Sequence, residues 1–470
     1  METPGILLAA PASGSGKTSA ACALMSAFDG MGLNVRACKC GPDYIDPMFH
    51  REVIGVESEN LDLFFLEKEQ LKNLFRRHAL GADLVVAEGV MGYYDGMGID
   101  TETGSSYEIA QTLGLPVILV LPGRGAALSL AATAAGMLGY RKESGIKGIL
   151  INKVSAMLYP KLKQMLETEL SAMGYDLPVV GYIPEDDAFA LESRHLGLVT
   201  PEELGDLKAK IRRGGEILSK TVDLDLLLNI AGFEQRVEKV QKETREEEKE
   251  EHGEKIRIGI AKDQAFCFYY KANRELLEQL GCCFVPFSPL KDKTLPEDLD
   301  GLMLGGGYPE LYARHLSENK EMLQAVAAAL KAGIPCLAEC GGFMYLHEEM
   351  EDEEGAVYPM VSAIRGRCYP VGRLVRFGYI SVSDRKGEKT GFLRAGEQIK
   401  GHEFHYWDST ENGTDCLAVK PDGKRKWECV HKEGNLFAGY PHLYLPSCPE
   451  FAQRFAAACR EYGRKRKERK

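Results

Sequence analysis

Short apolar runs recur through the first half of the chain: GILLAA (5–10), LNVRACK (33–39), DLVVAEG (83–89), LPVILVL (115–121), IKGILIN (146–152) and LPVVGYI (177–183). Their hydrophobicity is nearly continuous, as in strands buried on both faces, and helical stretches separate them. That alternation predicts a doubly wound, mostly parallel sheet covered by helices. The rhythm stops at 233–255, FEQRVEKVQKETREEEKEEHGEK, which is almost wholly charged and has no apolar face to bury. This segment reads as a solvated linker or exposed helix. The rhythm restarts with IRIGIA (256–261), CCFVPF (282–287), GLMLGG (301–306) and IPCLAEC (334–340). From about Arg365 the pattern becomes alternating and turn-rich, as antiparallel strands require. The expected architecture is α/β, with domains at 1–232 and 256–470 and no short-period repeat. The final GRKRKERK reads as a solvated basic tail.

Composition narrows the functions available. A chain of 470 residues fits two or three domains, and 44% hydrophobic with 27% charged residues suits a soluble globular protein. A formal net charge of −11 argues against nucleic acid or an anionic membrane as the main partner. A local basic pocket for an acidic small molecule remains compatible with it, as does a homodimer. The N-terminus lacks a basic n-region, and no stretch reaches the ~20 apolar residues of a membrane span. The 13 cysteines are odd in number and include no CxxC pair, which points to reduced thiols in a cytoplasm. Neither Cys38 with Cys40 nor Cys282 with Cys283 has a matching second pair for a metal.

Directly after the first strand lies Pro11-Ala-Ser-Gly14-Ser15-Gly16-Lys17-Thr18. Gly14 and Gly16 let backbone amides converge on phosphate oxygens, and the following helix (about 17–30) aims its positive end at them. Lys17 would neutralise the β- and γ-phosphates of ATP, and the Thr18 hydroxyl would hold Mg2+. Pro11 stands where the strict pattern has glycine, but placement between strand and helix supports the P-loop reading. Glu88 ends an apolar strand, where a magnesium ligand belongs. Asp62, in ENLDLFF, is a second candidate. Asn152, ending ILIN, is placed either to read an adenine edge or to make a strand-end turn. Lys39, Asp43 and Asp46 belong to a Gly-Pro turn facing the same crevice; their charges suit phosphate, magnesium or a substrate carboxylate.

In the second half, Cys340 ends an apolar strand and precedes Gly341-Gly342 and a helix, the strand–turn–helix plan of a nucleophile elbow. A helix N-terminus is expected to lower the thiol pKa. Gly305-Gly306-Gly307 also follows a strand. Together with Gly341, amides at Gly306 and Gly307 could receive an oxyanion. His442 is a candidate general base, with His402 and His405 as competitors that spacing does not separate.

Taken in order, GKT, KCGPDYIDPMFH, ENLD, EGVMGYYDG, SRHLGLV, AFCFYY, GGGYPELYA, AECGGFMYL and GHEFHY resemble the cobyrinic acid a,c-diamide synthase family of glutamine amidotransferases. The resemblance runs from about residue 5 to 455 and leaves only the acidic linker unmatched. It implies a first domain similar to dethiobiotin synthetase and a second like a triad-type glutamine amidotransferase. On that pattern Lys17 and Thr18 hold phosphate and magnesium, and Asp62 and Glu88 fall at the other magnesium ligands. Lys39 lies near the transferred phosphoryl group and Asn152 at the adenine. Cys340 is the nucleophile, activated by His442; glutamine and a corrin-type carboxylate are the partners. The chain departs from the family at Tyr444, two residues after His442, where an acid or a second histidine is usual.

Rival substrates for the same chemistry are nickel-sirohydrochlorin and hydrogenobyrinic acid. Cobyric acid synthase is related, but GPDYIDP and AFCFYY fit it less well. A partitioning-type ATPase switch with a degenerate second domain would usually carry an extra lysine early in the P-loop, where this chain has Ala12.

Overall fold

The computed structural model describes residues 3–191, 201–233, 255–387 and 391–469. The segment 234–254, holding most of the charged run, and SRHLGLV (193–199) lie outside the described residues. The chain divides into two compact units, Met1–Glu247 and Glu248–Lys470. Among the described residues no helix is long and apolar enough to cross a membrane.

The first unit holds a seven-stranded parallel sheet. Its strands are β1 (Gly5–Ala9), β2 (Val35–Cys40), β3 (Ser58–Leu61), β4 (Leu84–Glu88), β5 (Val117–Pro122), β6 (Ile146–Asn152) and β7 (Val179–Ile183). They lie in the order β3-β2-β4-β1-β5-β6-β7. Because β1 sits in the middle, its carboxyl end meets those of β4 and β5, at the crevice where open α/β sheets bind ligands. Register then brings chemistry together: Glu88 lies opposite Leu8 on one side and Lys39 on the other. Helix α1 (Lys17–Gly30) covers one face, burying Leu24 and Phe28 against Ile6, Leu8, Val86 and Ile118.

Six of these strands coincide with the apolar runs of the sequence. The seventh, β3, reads SENL and carries no hydrophobic signal, yet all four residues are buried. Two of its polar side chains find partners nearby: Asn60 donates to the carbonyls of Gly41 and Asp43, and Ser58 hydrogen-bonds His50. Such hydrogen bonds offset the cost of burying a polar strand.

Among its described residues the second unit contains three sheets. In the six-stranded one, β8 (Ile256–Ala261), β9 (Cys282–Phe287), β10 (Gly301–Leu304), β11 (Cys336–Glu339) and the strand Leu436–Gly439 run parallel, with His431–Glu433 antiparallel at one edge. A five-stranded antiparallel sheet includes Arg376–Asp384, Gln398–His405 and His442–Leu443. A four-stranded sheet starts earlier than the sequence pattern suggested, at His347–Glu351, and pairs that strand parallel with Ile364–Pro370. The basic C-terminus is also corrected: GRKRKER completes a helix spanning Pro449–Arg469. Gly463 packs on Asp300, and Arg466 hydrogen-bonds Asp298 and, at 3.0 Å, Asp300. Arginine pairing with these acids gives the charged end of the helix a place to dock, which composition alone did not reveal.

Candidate functional sites

At the carboxyl edge of the first sheet, Ala10–Gly16 wraps the N-terminus of α1. Gly14 and Gly16 both have positive φ, 76° and 95°. A Cβ on Gly16 would lie 2.0 Å from Asn152 Nδ2, so only glycine fits there. Asn152 Nδ2 also donates to the Ser15 carbonyl at 2.8 Å, so this amide braces the loop. A cavity of about 590 Å³ runs from Gly14, Lys17 and Thr18 past Asn152 to Glu185 and Asp186.

Beside the loop lies a buried charge cluster. Lys17 donates to the carbonyls of Ala12 and Met91. Burial, and then the nearby Lys39, lower its pKa from the usual lysine range. Lys39 bridges Glu88 at 2.7 Å and Asp46 at 2.6 Å. Burial alone would depress the Lys39 amine, but Glu88 and Asp46 outweigh it and hold it protonated. Burial likewise opposes ionisation of Glu88, and Lys39 with His50 overcomes it, keeping the carboxylate charged. Asp43 is pushed up to about 7 by burial and by Asp46. Thr18 Oγ1 donates to Glu88 Oε1, so two hard oxygens already converge at the mouth of the loop. Asp62, also buried, accepts the backbone N–H groups of Phe64 and Phe65.

That donor set fits magnesium. The ion takes oxygen ligands and usually binds through one or two carboxylates plus phosphate, rather than in an all-protein cage. Among the described residues no group of three or more His, Cys, Asp or Glu forms such a cage. His50, fully buried and 3.5 Å from Glu88, was missed as a participant. It ends the KCGPDYIDPMFH segment, but nothing in its spacing shows that the chain returns it to Glu88.

In the second unit, Cys340 lies between β11 and the short helix Gly341–Tyr345 with φ 47° and ψ −106°. A non-glycine residue held there costs roughly 1–3 kcal/mol, a strain typical of sites that present a nucleophile. Its N–H donates to Gly439 O at 2.9 Å. The Gly305–Gly307 turn lies alongside: a Cβ on Gly341 would come within 3.2 Å of Gly307 N, and one on Gly306 within 2.5 Å of His442 Cε1. Cys340 and His442 thus flank the same glycine turn.

The expected lowering of the thiol pKa is overturned. Cys340 is only 7% exposed, and burial, followed by Glu310, raises its pKa above the usual cysteine value. The N–H of Gly341 acts in the opposite direction, but a five-residue helix supplies too little field to win. Burial, then His402 and His405, keep His442 well below the normal histidine range, hence neutral and able to accept a proton.

His402 is cross-strand partner to His442 and stacks on it, with centroids 5.3 Å apart. Burial pushes His402 down to about 3, and its Nδ1 lies 3.3 Å from Tyr270 Oη. Tyr444 packs edge-on against Tyr270. His405 is engaged elsewhere, with Nδ1 2.6 Å from Trp407 O and its ring stacked on Tyr440.

Both halves match known families. Residues 6–199 match the CobQ/CobB/MinD/ParA nucleotide binding domain, and residues 257–448 the CobB/CobQ-like glutamine amidotransferase domain. Cobyrinate a,c-diamide synthase of Caldanaerobacter subterraneus subsp. tengcongensis is 38% identical over 98% of this chain and 99% of its own. The synthase of that name from Salmonella typhimurium is 38% identical over 97% and 98%, and that from Fusobacterium nucleatum 40% over 93% and 97%. The chain belongs to the cobyrinate a,c-diamide synthase family.

Membership makes it a ligase of the glutamine amidotransferase type, with a nucleotide-binding domain that implies use of ATP. The histidine that neighbours His442 in this chain comes from the adjacent strand, at His402. Tertiary pairing supplies that neighbour, while the position two residues downstream holds Tyr444.

Proposed function

We propose that this chain amidates the a and c side-chain carboxylates of cobyrinic acid, using ATP and glutamine, through an acyl phosphate. The observation that carries the reading is the near end-to-end match to synthases of that name, spanning both the loop at Gly14–Thr18 and the Cys340–His442 pair. A carboxylate resists ammonia because its leaving group is poor and its charge repels nucleophiles. Transfer of the γ-phosphoryl group to the carboxylate oxygen makes a better electrophile. Lys17 and Lys39 neutralise the charge that moves with that group, and Asp43 and Asp46 line the same turn for substrate. Thr18, Asp62 and Glu88 would hold Mg2+, which supplies further charge neutralisation on the phosphates.

In the other unit, His442 takes the Cys340 proton as sulfur attacks the glutamine side-chain amide. Amides near Gly306, Gly307 and Gly341 receive the developing oxyanion; losing one such donor typically costs ~2.7–4 kcal/mol. The protonated His442 then delivers its proton to departing ammonia, and water releases glutamate from the thioester. Because burial holds His442 below the ordinary range, it stays neutral as pH falls through the usual histidine pKa of about 6.5. Glutaminase kcat/KM should therefore keep its value down to below about pH 6. A pH profile whose acid limb sits at an unperturbed histidine pKa would rule out His442 as the buried base.

Mass spectrometry of the product made from cobyrinic acid, ATP, magnesium and glutamine tests the reading. Successive replacement of two carboxylates by amides is expected. Failure on cobyrinic acid with turnover of nickel-sirohydrochlorin or hydrogenobyrinic acid would reassign the substrate.

A further inference from the structure

AFCFYY (265–270) carries part of the family resemblance, yet the amide-transfer chemistry gives it no task. The segment lies between β8 and the helix Lys271–Gln279, alongside the glycine turn at 305–307. Four hydrogen bonds tie segment and turn together. The N–H groups of Cys267 and Phe268 both donate to the Gly306 carbonyl, at 2.9 and 3.0 Å, and the Tyr308 N–H donates to Ala265 O at 3.0 Å. The fourth uses a side chain: Tyr269 Oη accepts the Gly305 N–H at 2.9 Å and donates to Ala261 O, at the end of β8, at 2.5 Å. The approach leaves no room for a side chain on the turn. A Cβ on Gly305 would lie 2.5 Å from Tyr269 Cε1, and one on Gly307 2.1 Å from Ala265 O.

These bonds fix which way the peptides of the turn face. In a planar trans peptide the N–H points opposite to the C=O. With the Gly306 carbonyl held by Cys267 and Phe268, the Gly307 N–H is turned away from that segment. It faces the elbow, where a Cβ on Gly341 would lie 3.2 Å from Gly307 N. Of the four contacts only the Tyr269 hydroxyl comes from a side chain, so it alone can be removed without altering the backbone. We propose that Tyr269 is a positioning residue for glutamine hydrolysis: its hydroxyl, anchored on the end of β8, holds the glycine turn with the Gly307 N–H aimed at the oxyanion that forms as Cys340 attacks. Such a donor is effective when it is already in place as the charge develops. The proposal rests on the glutaminase reading of Cys340 and adds a residue to it.

The test compares the full wild-type chain with Tyr269→Phe, which keeps the ring against Gly305 and removes only the hydroxyl. Glutamine hydrolysis should lose about tenfold in kcat, less than the ~10²–10³-fold of a deleted donor, with KM within about twofold. Alkylation of Cys340 by iodoacetamide, followed by peptide mass spectrometry, separates positioning from general support of the fold. That reaction displaces iodide at a saturated carbon and develops no oxyanion, so its rate should match wild type. Amide formation from ammonium salts should match wild type too. An unchanged kcat overturns the assignment, and so does a rise in KM alone, which would put the hydroxyl in glutamine binding. A parallel fall in hydrolysis and alkylation, or the loss of ammonia-driven amidation, would make Tyr269 a prop of the fold and overturns the assignment as well. If the wild-type chain hydrolyses no glutamine, the glutaminase reading itself fails, an outcome distinct from all of these.

Discussion

Lys17→Ala should abolish ATP-dependent amide formation with glutamine and with ammonium salts alike, by at least about 10²-fold, while glutamine hydrolysis persists. The amine is buried, and two carbonyls, those of Ala12 and Met91, hold it at the loop. Lys39 stands close enough to depress its pKa. An arriving triphosphate would relieve that repulsion, because its negative charge pairs with both amines. Removing Lys17 leaves the phosphates short of one positive charge at the point where charge shifts, and Lys39, already tied to Glu88 and Asp46, cannot move into its place. Product formation at saturating ATP is the measurement, with ammonium chloride as the second nitrogen source. A variant that makes amide at the wild-type rate would remove the phosphate role from this loop.

Cys340→Ala should do the reverse. Glutamine hydrolysis should drop to background, on the order of 10⁴-fold or more, as expected when a covalent nucleophile is lost. Amidation from ammonium salts should continue, because the proposed reaction forms the acyl phosphate on residues of the other unit. Alanine adopts the elbow geometry no more easily than cysteine does, so a folded variant is expected with similar local strain. Glutamate release and amide formation have to be assayed on the same preparation. Joint loss of both activities in a variant that unfolds at the wild-type temperature would argue against two separable reactions. Because burial raises the thiol pKa, alkylation by iodoacetamide near neutral pH should also be slow in the absence of glutamine.

The sequence was informative where physics is local. Continuous apolar runs mark strands buried on both faces, so six strands of the first sheet and four of the second unit's main sheet were legible. Glycines that must adopt positive φ next to a lysine and a hydroxyl mark a phosphate cradle, and a cysteine between an apolar strand and two glycines marks an elbow. Those signals depend on residues within a few positions of one another.

What escaped depends on residues far apart along the chain. Ser58–Leu61 could not be read as a strand, because its burial is made possible by His50, Gly41 and Asp43, which the fold brings to it. Spacing does not separate the three histidines, and their surroundings come from the fold: strand pairing sets His402 against His442, and His405 lies against Trp407. The thiol pKa is raised rather than lowered because desolvation is a property of the packed interior, whereas a helix terminus can be read from the sequence. Local spacing therefore determined which chemical groups this protein possesses. Only the tertiary structure decided which of them meet and in what dielectric, since charge interactions and burial depend on distance through space rather than along the chain.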